Sequence, residues 1–396
     1  MRCPQCGRDA PPGAYCGYCG ARLPHAEGEA LPATHRSRMR AHAYAADSRE
    51  SLYTPAIIST LFPHLPPHRA IIARWLLIAG IALVVLIAFG RVIPLAVVLS
   101  AVLLPVLYLA YFYDTRVYED EPLTVLAGTF LVGVLLGAAL SLAAYRLLVT
   151  QRTLGLHSGP TPGYVALNAV LLPLVSLALM LVGPVVLYAL RPRFNDILDG
   201  LVFGVASGLG FAAAQSIVYS WLIIVGPLQR SGSALDWVLP ALRVALLTPL
   251  LDAASVGLIC AALWLPRDPH IRQRPRTLVT SLPFAIAVAA LGQVLPSLLT
   301  DLLPGQALSF IWYLLAAAIL LMLARVSLHL GLLEKGAEAS DAGERMDMIV
   351  CSTCQRLTPN LAFCSQCGVA LRARPKRATT PARRTRPGGA TEGGQS

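Results

Sequence analysis

Charge is scarce in this chain. Asp, Glu, Lys and Arg together make up 13% of its 396 residues, and aromatics a further 7%. About a quarter charged is usual for a soluble domain, so an ordinary water-soluble globule is excluded. Histidine is nearly missing where the chain is apolar: His329, at the end of the last apolar run, is the one near such a run. That excludes an intramembrane histidine–metal site and a histidine partner for Ser207, which lies in the serine-containing stretch "ASGLG" (206–210). His-Glu-x-x-His does not occur, which excludes a zincin. Asp114 follows Tyr113, but no Gly-x-Gly-Asp partner exists for an aspartyl site within the membrane. Acids are fewer than bases, 21 against 32, giving a net charge of +11.

What the chain does have is apolar length. Hydrophobic residues make up 56% of it. Eight apolar runs, at about 71–89, 92–113, 123–149, 164–190, 197–225, 235–265, 277–300 and 307–330, are each long enough to cross roughly 30 Å of hydrocarbon. Arg74 interrupts the start of the first. Some seventy mostly polar residues precede that run, which is not the flank of a signal peptide. Basic residues favour the cytoplasmic side. With both ends inside, the inner loops hold Arg116, Arg191, Arg193, Arg267, Arg272, Arg274 and Arg276, and the outer loops hold Arg91, Arg146, Arg152 and Arg230. Both tails are arginine-rich as well. The expectation is a multi-pass protein of the plasma membrane with both termini in the cytoplasm.

Cysteine is used in a pattern. Eight of the nine fall into two copies of one spacing, "CPQCGRDAPPGAYCGYCGARL" (3–23) and "CSTCQRLTPNLAFCSQCGVAL" (351–371). Each reads CxxC, nine residues, CxxC, with an aromatic (Tyr15, Phe363) before the second pair. One CxxC turn supplies two thiolates along one edge of a tetrahedron, and the second turn supplies the opposite edge. Glycine after the knuckle (Gly7, Gly20, Gly368) permits positive φ; Gln355 takes that place once. About twenty residues cannot build an adequate core, so metal must supply the folding energy. The expected ligands are Cys3, Cys6, Cys16 and Cys19 for one structural Zn2+, and Cys351, Cys354, Cys364 and Cys367 for a second. A reducing cytoplasm argues against disulfides. The spacing resembles the short zinc-ribbon family found at the ends of prokaryotic membrane proteins. Cys260, in a membrane run, is read as a small apolar filler.

The remaining segments read as connections. Residues 24–69 hold scattered Pro, Ala, His and Arg and are expected to be a flexible tether. His25, His35, His42, His64 and His68 in it are spaced as solvated residues. "FPHLPPH" (62–68) suits the membrane surface. Residues 334–348 form a second linker. Residues 372–396 carry seven Lys or Arg and a single acid, a composition of disorder. Beside a bilayer such a tail attracts anionic lipid; nucleic acid is the other candidate. The ribbons are expected to engage a cytosolic or membrane protein.

In run 197–225, residues Gly200, Gly204, Gly208, Phe211, Gln215 and Tyr219 share one arc of about 100° on a helix. A small-xxx-small stripe lets another helix approach closely, so Gln215 is expected to face protein. "YDTRVYEDEPL" (113–123) and "ALRPRFNDILDGLVFGVASGLGFAAAQSIVYS" (189–220) resemble the PrsW-type intramembrane proteases: Glu121-Pro122 closes the acid-rich loop, and Asp199-Gly200, Gly204, Gly208, Gly210, Phe211 and Ala212 match the glycine helix. The resemblance implies three catalytic motifs. Glu-Glu-x-x-Lys corresponds to "LVSLALMLVGPVVLYAL" (174–190), which holds no acid or lysine. Phe-x-x-x-Glu-Asn is Phe211 to Gln215-Ser216 here, so Gln215 stands where glutamate is expected. The histidine of the third motif falls near Pro249, in "LLTPLLDAASVGL" (246–258). Glutamine keeps the size of glutamate without its charge, and serves neither as general base nor as a good metal ligand. Gln215 is therefore read as a remnant, now an interhelical hydrogen bond. Asp252 is the acid left deep in a membrane run, where a carboxylate is a functional candidate by default. Its expected partners are Asn168, Gln215 or Gln293, since Arg243, nine residues earlier, lies on the opposite helix face. Asp252 and Gln215 are the candidate catalytic residues.

These readings give an all-α polytopic membrane protein of about eight transmembrane helices. Its expected domains are a ribbon (1–23), the tether (24–69), a PrsW-like membrane domain (70–333), the linker (334–348), a second ribbon (349–371) and the tail (372–396). It is expected to bind or regulate rather than cleave. An active protease of the same type is the alternative, and a transporter the third reading.

Overall fold

A computed structural model describes residues 2–4, 9–18, 20–23, 57–61, 67–90, 93–115, 123–153, 162–190, 197–225, 235–265, 278–303, 305–341, 348–351, 354–361, 363–368 and 371. The described chain is mostly helical. In order run α1 (Ile57–Leu61), α2 (Pro67–Phe89), α3 (Ile93–Thr115), α4 (Leu123–Thr153), α5 (Pro162–Leu190), α6 (Ile197–Val225), α7 (235–264), α8 (Leu282–Leu302) and α9 (Gln306–Asp341). Seven of these helices are long and apolar enough to cross a bilayer. The eighth expected run is the 23-residue helix α3. Two expected connections are structured instead. Inside the supposed tether, α1 buries Thr60 and Leu61, because the sequence "IISTL" is apolar enough to join the core. The last helix continues to Asp341, through the first half of the supposed 334–348 linker. The 372–396 tail, the loop at 116–122, Cys6 and Cys19 lie outside the described residues.

Helices α6 and α7 are the centre of the bundle. In their spanning windows 83% of residues are buried, against 17–33% in the other five. The outer helices instead turn Trp75, Leu86, Leu135, Leu190 and Leu291 outward, as lipid contact requires. Close approach at the centre follows from the glycine stripe. A Cβ on Gly200, Gly204 or Gly208 would lie 2.7, 2.8 or 2.9 Å from the carbonyl oxygens of Cys260, Val256 and Asp252 on α7. The opposite side of α6 is met by α4, where Gly133 abuts Ser207, Gly137 abuts Phe211, and Gly210 in turn abuts Phe130. Any side chain at these positions would force the backbones apart. Tyr188 and Phe203 pack on Trp264, with ring centroids 4.9 and 6.3 Å away, and tie α5, α6 and α7 together at one end.

Prolines shape the helices, and side chains repair what they break. Pro173 and Pro249 have no N–H for the carbonyls four residues back. Immediately before each, the helix widens into a π-turn, Ala166–Leu171 and Arg243–Leu247. There Leu172 and Thr248 donate five residues back, to the Leu167 and Arg243 carbonyls. Pro184 in α5 likewise leaves the Met180 carbonyl without its helical donor, and the buried Ser207 hydroxyl of α6 donates to that carbonyl at 2.6 Å. Ser207→Ala is expected to cost about 1–2 kcal/mol, the upper range for one interhelical bond in a membrane. Unfolding in mixed micelles measures it. Adding Pro184→Ala should recover much of the loss by restoring the helical donor; equal losses with and without Pro184 would refute this account.

Candidate functional site

The C-terminal ribbon is built from a short hairpin. Strand β1 (Met348–Val350) pairs antiparallel with β2 (Leu357–Pro359) in the register Met348↔Pro359, Ile349↔Thr358, Val350↔Leu357. The turn between them carries Cys351 and Cys354, and the 363–368 turn carries Cys364 and Cys367. Gln355 holds φ 56°, the left-handed conformation in which Gly20 (70°) and Gly368 (72°) also sit. The N–H of each of these three residues donates to the carbonyl of the first cysteine of its pair, at 2.8–2.9 Å. Gln355 thus performs the turn that Gly20 and Gly368 perform in their knuckles.

The four thiols converge, with all their sulfurs within 4.8 Å of one another. Cys351 Sγ lies 3.8 Å from Cys367 Sγ, and Cys354 Sγ lies 3.8 Å from Cys364 Sγ. A disulfide needs about 2.05 Å. By contrast, 3.8 Å is close to the edge of a tetrahedron whose metal–sulfur bonds are about 2.3 Å. Burial raises the Cys354 thiol above its ordinary pKa; Cys364 and Cys351 push it further up, against a backbone hydrogen bond from Arg356. Four sulfurs this close call for protons or a cation among them, so the donor set fits a metal. In the N-terminal ribbon Cys3 and Cys16 are buried. Arg2 and Asp9 form an antiparallel bridge at the positions corresponding to Val350 and Leu357.

The membrane core presents a different chemistry. Phe211 and Ser216 are buried on α6 and Pro249 on α7, while Gln215 is half-buried. Among the described residues, the Gln215 amide makes no hydrogen bond. Asp252 is buried, with 4% of its surface exposed. Its Oδ1 accepts a 2.8 Å hydrogen bond from Gln293 Nε2 of α8. The same nitrogen lies 3.3 Å from Ser255 Oγ, which donates to the Leu251 carbonyl at 2.7 Å. Asp252 Oδ2 has no hydrogen-bond partner among the described residues. Asn168 donates instead to Asp301 Oδ2 at 3.0 Å. Arg243 donates to Ser309 Oγ at 2.7 Å and lies 5.3 Å above the Tyr313 ring. Among the described residues, no group of His, Cys, Asp or Glu in the membrane core converges as metal ligands do; the converging set is the ribbon's four cysteines.

Sequence reasoning missed the role of Ser255 and the repair by Ser207. A proline four residues beyond an orphaned carbonyl is the signal that could have pointed to a donor near Met180, though not to which helix supplies it.

Residues 121–324, just over half of the chain, match a family model described as PrsW family intramembrane metalloprotease. No curated protein and no solved structure matches the chain.

Proposed function

The chain belongs to the PrsW family of intramembrane metalloproteases, and from that premise we propose a member that has lost proteolysis and serves as a binding or regulatory protein of the plasma membrane. The observation that carries this reading is joint loss. The stretch 174–190 holds neither acid nor lysine, Gln215 stands for the glutamate, and Pro249 falls near the place of the histidine. A metal in the membrane core would need several of these together, and the residues present do not fit one. A second reading, retained activity, draws on the uncommitted Oδ2 of Asp252. Incubating the purified protein with a membrane-anchored peptide separates the two: the first expects no cleavage above background.

The ribbons supply the binding. We assign one structural Zn2+ to each, since four thiolates about a tetrahedron suit zinc and leave no open position for substrate. A protein partner in the cytoplasm or the membrane is the proposed ligand of the ribbons. The basic tail would add roughly 1 kcal/mol per Lys or Arg held near an anionic bilayer; binding of nucleic acid by this tail is the competing use. Arginine placement supports cytoplasmic ends. Reporter fusions at each terminus should both give cytoplasmic signals, and opposite signals would mean an odd number of crossings.

A further inference from the structure

We propose that the two terminal ribbons are each other's binding partner and form a single pseudo-two-fold module with two metal centres. The inference rests on the zinc-ribbon reading above. The two repeats are offset by 348 positions, so Tyr15 corresponds to Phe363 and Gly17 to Ser365. The Tyr15 N–H donates to the Ser365 carbonyl at 2.9 Å, and the Phe363 N–H donates to the Gly17 carbonyl at 2.8 Å. These two bonds exchange under the offset, as contacts across a two-fold axis must. The packing obeys the same operation. The Phe363 ring covers Gly20, where a Cβ would lie 3.0 Å from it, and the Tyr15 ring covers Gly368, where a Cβ would lie 2.7 Å from it. Gly13 abuts the Ser365 backbone, while Leu361, the counterpart of Gly13, abuts Gly17. Leu361 is buried in one cluster with Cys3, Ala10, Cys16, Tyr18, Ala21 and Leu23 of the other ribbon.

Chemistry explains the arrangement. A ribbon of about twenty residues leaves the flat aromatic before its second CxxC with nothing of its own to cover it. The glycine after the opposite knuckle, held at positive φ, offers backbone with no side chain in the way. Each ribbon supplies one aromatic and one such glycine, so pairing buries both. The edge a foreign strand would use is then occupied from within the chain. Phe363 also belongs to the contiguous buried cluster of the membrane core, together with Leu61, Trp264 and Leu328, so the module is seated on one end of the bundle. Two consequences follow. Both termini lie on the same side of the membrane, and the number of crossings is even. An external protein partner must use a surface of the paired module other than the Tyr15–Phe363 seam.

The test changes one ribbon and reads the other, in full-length protein in detergent, with all eight ligand cysteines kept. Gly13→Leu pushes on the Ser365 backbone; Leu361→Glu places a charge against Gly17. Hydrogen exchange by mass spectrometry reads peptides covering 361–371 in the first variant and 10–23 in the second, with zinc counted by elemental analysis. Pairing expects protection in the unaltered ribbon to fall at least tenfold in both variants, with that ribbon's zinc retained. Unchanged protection across the seam, with zinc still at two per chain, overturns the pairing and leaves the ribbons as independent units. A wild-type protein without zinc overturns the zinc reading and the module with it.

Discussion

Purified full-length protein is expected to carry two zinc ions per chain, and a strong chelator is expected to unfold both ends while leaving the helical signal of the membrane domain intact. The size of the effect comes from the ribbons' poverty of core. Ile349, Cys351, Cys364 and Leu371 are the buried apolar cluster of the C-terminal ribbon proper, far too little to offset the ordering of some twenty residues at about 1–2 kcal/mol each. Zinc binding, on the order of 10–16 kcal/mol at neutral pH, supplies a large part of what the core lacks. Because the ligands are thiolates, affinity should fall as the pH drops. The Cys354 thiol is raised by burial and by its cysteine neighbours, so the proton that metal displaces there carries the dependence to higher pH. Cys351→Ser should remove one ion and leave its hairpin unfolded. Elemental analysis finding well under two ions in the wild type, or disulfides in protein kept under reducing conditions, would refute the assignment.

The spans, the ribbons and the close face of α6 were legible in the sequence for simple reasons. Run length reports the crossing of a bilayer, a repeated CxxC spacing reports tetrahedral coordination, and Gly200, Gly204 and Gly208 at intervals of four report a backbone-to-backbone approach. What could not be read was which helix meets which. Helices apolar on every side carry no moment that marks a buried face, so the sequence offered Asn168, Gln215 and Gln293 as partners of Asp252 without deciding among them; the partner is Gln293, 41 residues away on α8. Gln215 illustrates the same limit. Its arc puts it on the stripe of Gly200, Gly204 and Gly208, but an arc says nothing of depth: the residue is half-buried, and the described residues offer its amide no partner. The π-turns at Ala166–Leu171 and Arg243–Leu247 could not be read from Pro173 and Pro249, because whether a proline kinks, caps or widens a helix is settled by its neighbours. The symmetric seam between the ribbons was latent in the 348-residue offset, since a repeated module is itself a candidate partner for its twin.

Cleavage of membrane-anchored peptides by the wild-type protein is expected to stay at background, and Asp252→Asn is expected to change nothing. General acid–base help is typically worth about 10²–10⁴-fold, and a metal that activates water adds several kcal/mol; with both missing, little rate enhancement is left. The competing mechanism makes Asp252 the base and Gln215 the oxyanion donor. Such a pair must close within about 3 Å of one reacting atom. The helices place them otherwise. The Asp252 carbonyl lies against Gly208, seven residues before Gln215, which is about 10 Å along the axis of α6. The Asp252 side chain turns toward α8, where Gln293 holds Oδ1. Restoring the charge at one position should fail for the same reason that its loss was tolerated: Gln215→Glu supplies a carboxylate with no lysine in 174–190 and no histidine at 249 to complete a site. Asp252→Asn keeps the size and an acceptor for Gln293, so its fold should survive and its activity can be compared directly. Cleavage by the wild type that disappears in Asp252→Asn, with both proteins folded, would sink the reading of lost proteolysis and make Asp252 a catalytic residue.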